Sequence, residues 1–139
     1  MNMRERALAS YGDVKVTTGV SGADNVQLIQ MLFDGLIESL ATARGHMERG
    51  AITEKSKSLS RAGRIVVGLQ GALDFEKGGD IARNLNDLYS YVTRRLFHVN
   101  ANNDLDALLE VHNLMNEIRS AWLQVPTLVP ATSKASVLN

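Results

Sequence analysis

"NLNDLYSYVTRRLFHVNAN", residues 84–102, places Leu85, Leu88, Val92, Leu96 and Val99 three or four residues apart. Residues at those intervals share one face of an α-helix, whereas a strand would alternate every second position. Two large side chains fall outside this stripe: Phe97 lies roughly 145° and Tyr91 roughly 95° from its centre at 100° per residue. A simple solvated helix carries Lys and Glu there, so something besides water is expected to cover that side.

The same three-and-four spacing recurs along the chain. A first helix is predicted from about Val26 to Arg49, with stripe Ile29, Phe33, Leu36, Leu40, Ala43 and Met47; Ser21, Asp24 and Asn25 are cap candidates and Gly50 is the stop. A second, from about Thr53 to Leu73, carries Leu59, Ala62, Val66, Leu69 and Leu73. The third is predicted to start near Asp80, after the tight "DFEKGGD" connection, with Ile81 opening its stripe. "NANND" ends it, Asn103 or Asp104 caps a fourth, and that helix buries Leu108, Val111, Met115, Ile118 and Trp122. Pro occurs only at Pro126 and Pro130, and strand signals are nearly absent. The fold class is therefore all-α, and short loops predict an antiparallel up-down four-helix bundle. Its expected limits are a cap segment over 1–22 with a short helix, a bundle over 23–124 and a disordered tail over 125–139.

Composition narrows the function. A chain of 139 residues fits one domain, and the absence of Cys excludes disulfides, thiolate metal sites and a cysteine nucleophile. Fifteen basic residues balance fifteen acidic ones, so no general field draws nucleic acid. No window approaches the apolar run of a membrane span, and the N-terminus has no signal-peptide pattern. These features predict a soluble, intracellular protein with no membrane insertion. Between Arg44 and Arg64 six cations stand against Glu48 and Glu54; such an excess is more often a solvated face than a patch.

The outward faces carry the functional signal. On the first helix Met31 lies roughly 160° and Leu28 roughly 100° from the core stripe, with Gly35 between them. On the second, Gly68 and Gly71 point roughly 140–160° away from the core, where a helical glycine costs about 1 kcal/mol relative to Ala unless another backbone approaches. Second apolar faces on two helices, with outward glycines on another, fit a groove for a helical or extended peptide, or a site covered by the chain's own N-terminal segment. Catalytic readings are weaker. No Glu has a His three residues later, as a di-iron bundle needs. His98 beside Arg94 and Arg95 is a phosphoryl-acceptor candidate without the surrounding phosphorelay pattern. No phosphate loop, catalytic triad or cofactor site is legible.

"NVQLIQMLFDGLIESLATA", then "GGDIARNLNDLYSYVTRRLFHVNANND" and a late "IRSAW" together resemble the flagellin-specific export chaperones of bacterial flagella, the FliS family, from about Tyr11 to Trp122. The resemblance implies a cytosolic, non-catalytic chaperone that binds the disordered C-terminal segment of flagellin, stops premature polymerisation and presents it to the flagellar type III export gate. It implies that the client wraps the bundle and that an N-terminal cap moves aside, which places Leu8 and Tyr11 in the cap. The family's Leu-Tyr-x-Tyr falls on Leu88, Tyr89 and Tyr91, and its Ala-Asn pair near Asn100 and Ala101. Where the family often has Ala-Ser-Pro before the first helix, this chain has "ADN". With the outward residues, the expected partner site comprises Leu8, Tyr11, Leu28, Met31, Gly35, Gly68, Gly71, Asn84, Leu88, Tyr89, Tyr91, Arg94, Phe97 and Asn100. The client-free chain is expected to be a monomer or weak dimer. A phosphorelay enzyme using His98, or a bundle that merely dimerises through its second face, are the competing readings.

Overall fold

The structure is a computed structural model, and it describes residues 25–124. The cap segment, Ser21, Asp24 and the tail lie outside the described residues. Four helices follow one another: α1 (Asn25–Arg49), α2 (Ile52–Gly71), α3 (Phe75–Asn102) and α4 (Leu105–Gln124). Each packs on its chain neighbour, and α1 also meets α4, closing the antiparallel four-helix bundle. Among these residues no helix is long and apolar enough to cross a membrane.

Short, well-bonded corners enforce the antiparallel order. After α1, Gly50 takes φ 73°; its N–H donates to Met47 O and the Ala51 N–H to His46 O. This paired bonding of the last carbonyls needs the left-handed conformation that glycine adopts without steric cost. At the α2–α3 corner, Asp74 Oδ1 accepts from the Lys77 N–H at 3.0 Å and caps α3. At the α3–α4 corner, Asn103 is left-handed at φ 55°, and Asp104 Oδ1 accepts from the Ala107 N–H at 3.0 Å. Asp104 is therefore the cap of α4.

The third helix begins earlier than predicted. Phe75–Gly78 form one turn, after which Gly79 (φ 51°, ψ −126°) breaks the helical path before it resumes. Gly78 is needed for a different reason, since a Cβ there would lie 2.8 Å from that of Ala82. Below this break the buried stripe starts at Ala82, and Ile81, assigned to the core by periodicity, is 52% exposed.

The core joins the four predicted stripes: Phe33, Leu36, Leu40, Val66, Val92, Val99, Leu108, Val111 and Met115 are buried. Phe33 and Trp122 close it between α1 and α4, ring centroids 6.2 Å apart. It also includes Leu32, Ile65 and Ala107, which the narrow stripes omit. A helix that contacts two neighbours buries a wider arc than a two-position seam.

Candidate functional site

That wider arc removes part of the expected partner surface. Leu28 is only 4% exposed and belongs to the core cluster. Leu28, Leu32, Gly35 and Ser39 form a second buried ridge on α1. Arg61 of α2 lies across it, donating to Gly35 O and Ser39 Oγ and pairing with Glu38 at 3.6 Å. The second face of α1 is thus largely spent on α2, while Met31 remains 38% exposed. Gly68 and Gly71, expected outward, are buried; Gly68 lies on the α1 side of its helix, where the Gly35–Arg61 register brings it level with Leu28.

Tyr89 is also core, and burial pushes its phenol pKa up. Tyr91 and Phe97, treated together as outward aromatics, sit on opposite flanks of the α3 stripe and meet different helices. On the α4 flank, Tyr91 donates from its hydroxyl to Glu110 Oε2 at 2.6 Å, which raises the phenol's pKa. Arg95 holds the other oxygen of Glu110 at 3.2 Å. Tyr91 is therefore a strut between α3 and α4. On the α2 flank, Asn100 accepts from Lys55 through its carbonyl and from Ser56 through its side chain. Farther down, Asn86 accepts from Gln70, so neither asparagine offers an idle acceptor. Leu88 is half-buried; Asn84 and Arg94 are exposed.

Phe97 is different. It is 73% exposed and walls a cleft of about 340 Å³ between α2 and α3, lined by Leu59, Ser60, Gly63, Arg64, Thr93, Leu96, Phe97 and Asn100. The side of Gly63 is open, with nothing within 4 Å of where its Cβ would be. Leu59, Gly63 and Leu96 were not among the expected site residues. The signal was present in the sign of the helical angle: Phe97 leans towards α2, as Gly63 leans towards α3.

His98 does not present a nucleophile. Its Nε2–H donates to Asp104 Oδ2 at 2.8 Å, and its Nδ1 accepts from Asn102 Nδ2 at 3.1 Å. The bond from His98, followed by that from the Ala107 N–H, holds the Asp104 carboxyl below its ordinary 3.8. A carboxyl depressed in the fold contributes stability that is complete above the unfolded value and is lost as pH falls through the folded one. Exchange protection of the Ala107 amide should therefore drop on acidification below 3.8. Asp104→Asn should remove that step from an amide-exchange pH series.

A four-helix bundle with an apolar interhelical cleft and an aromatic side chain standing free at its edge defines a helical binding protein. Residues 7–128 match the family described as "Flagellar protein FliS". Among similar proteins, the flagellar secretion chaperone FliS of Salmonella typhimurium is 44% identical over 119 residues, covering 85% of this chain and 88% of its own. FliSB of Pseudomonas aeruginosa is 44% identical over 117 residues, covering 84% and 93%, and FliS of Bacillus subtilis is 27% identical over 115, covering 83% and 82%. The chain belongs to the FliS family. It is a flagellar export chaperone and not an enzyme.

Proposed function

We propose that this chaperone works in the bacterial cytosol, where it binds the disordered C-terminal region of flagellin, prevents premature polymerisation and delivers it to the flagellar type III export gate. The observation that carries this reading is the α2–α3 cleft with its exposed Phe97. Burying that ring and the cleft under a client's apolar stripe gains roughly 25 cal/mol per Å². Ordering a disordered client consumes much of the gain, so tight binding needs a long footprint. Met31 and the exposed Val67 are sites where the footprint extends. Leu8 and Tyr11 belong to the proposed cap, with 1–22, 23–124 and 125–139 as cap, bundle and tail. The client-free chain is a monomer or a weak dimer that the client converts to a 1:1 complex.

Calorimetry with a peptide of roughly the last forty residues of flagellin from the same organism tests this, the expected result being saturable 1:1 binding with a large negative heat-capacity change. Phe97→Ser should weaken binding about tenfold, or ~1.4 kcal/mol. Tyr91→Ser should lower the melting temperature through the lost Glu110 bond while leaving affinity within about twofold. Folded wild-type protein that fails to bind the peptide would overturn the proposal.

A further inference from the structure

The apolar cleft does not end at α2. Ser60 and Arg64 line both it and a shallow shelf on the outer face of that helix, where Lys57 joins them. Around α2 the side chains grade from Leu59 through Gly63 and Ser60 to Arg64 and Lys57, so an apolar floor passes through a hydroxyl step to two cations. Lys57 and Arg64 are seven residues apart, two helical turns or about 10.5 Å along one face.

Lys57 and Arg64 are exposed, and neither makes an ion pair or side-chain hydrogen bond among the described residues, although the other cations of this region do. Arg44 pairs with Glu48, Arg61 with Glu38 and Arg95 with Glu110. The sole carboxylate of α2, Glu54, leaves Lys57 unpaired. In a chain of zero formal net charge, two unpaired cations therefore stand along one side of an apolar cleft, Arg64 in its lining and Lys57 on the adjoining shelf.

We infer that the cleft selects an amphipathic client helix whose apolar stripe is flanked on one side by carboxylates, the apolar residues seating between Leu59, Gly63, Leu96 and Phe97 and the carboxylates meeting Lys57 and Arg64. This deepens the proposed function by naming the chemistry of the segment it accepts. Opposite charges along the rim speed encounter and fix the register, which an apolar cleft alone leaves free to slide.

A pair of synthetic helical peptides isolates the charge selection from flagellin itself: one with a leucine stripe flanked by Glu seven residues apart, and its twin with Gln at those positions. Titrated by fluorescence anisotropy into the full chain at low salt, the Glu peptide should bind about tenfold more tightly, and the advantage should shrink at high salt. The double variant Lys57→Gln, Arg64→Gln should bind both peptides alike, while Gly63→Trp should weaken both. Equal binding of the twins to the wild type, or no binding of either, overturns the inference. A flagellin peptide that binds while the twins are not distinguished leaves the chaperone reading intact and removes the charge selection. The converse result, twins distinguished and flagellin ignored, supports the selection and removes flagellin as the client.

Discussion

Lys55→Met is expected to lower the unfolding free energy by about 3 kcal/mol, which in a chain of this size shifts the melting temperature down by roughly 6–12 °C. Lys55 is 5% exposed and has no carboxylate partner among the described residues. Its Nζ donates to Asn100 O at 3.1 Å and to Asn103 Oδ1 at 2.9 Å. These acceptors lie at the C-terminal end of α3, where unpaired carbonyls carry partial negative charge, and this is what lets a cation be buried without an acid beside it. Asn103, the left-handed residue that stops α3, is held by the same ammonium group.

Methionine keeps the unbranched stem and its packing, so the loss measures the charge and its donors. It leaves the half-buried Asn100 carbonyl short of a donor and frees the Asn103 side chain, the situation in which removing one partner costs more than the bond was worth. Urea denaturation of the two proteins checks the expectation. Stability within about 0.5 kcal/mol of wild type would mean that water satisfies both acceptors and that the buried ammonium is incidental.

Lys55 also marks where sequence reading stops. In the sequence it is one of six cations in a basic stretch, and nothing in composition separates it from Lys57, two residues on. Helical spacing puts Lys55 four residues before Leu59, on the buried stripe of α2, and Lys57 off it; what the sequence hides is the acceptor, the end of α3 that comes 45 residues later. The bundle was legible for the opposite reason. Its stripes, the Gly50 stop and the Asp104 cap depend on neighbours within a turn or two, and periodicity encodes those directly. Ile81 failed because at that end of α3 the buried position is Ala82, one residue on, and Leu85 is only half-buried.

The site was legible in part. Phe97 stood out by its angle alone, and Leu88, Tyr89 and Tyr91 came with the family motif. Angular distance from a stripe has a magnitude and a sign, and only the sign says which neighbouring helix a residue meets. Leu28 and Tyr91 lie at about 100° from their stripes, within the arc that a neighbour in a bundle covers. Phe97, at roughly 145°, stands exposed, yet Gly68 and Gly71 at roughly 140–160° are buried, so the magnitude alone does not decide. Gly63 carried no signal as a glycine in a run of Ser, Arg and Ala, because its meaning is the space opposite it.

That space gives the second large effect. Gly63→Trp is expected to reduce affinity for the flagellin C-terminal peptide about 100-fold, close to 2.7 kcal/mol, while the melting temperature stays level or rises. A Cβ at Gly63 meets nothing within 4 Å, so the indole enters the cleft of about 340 Å³ without displacing the fold. There it packs against Phe97 and Leu96, taking the place of the client. Replacing a helix-interior glycine also removes a conformational penalty of about 1 kcal/mol at most, which biases stability upward. The affinity loss is large because a wrapped client binds through linked contacts, and losing one sacrifices the effective-concentration gain of roughly 10²-fold or more that linkage supplies. Gly63→Ala is the internal control: it gains the same helix propensity, leaves most of the cleft open and should retain affinity. Tight binding by Gly63→Trp would move the client off the α2–α3 cleft. Equal loss in Gly63→Ala would show that α2 itself must flex at this position for the client to seat.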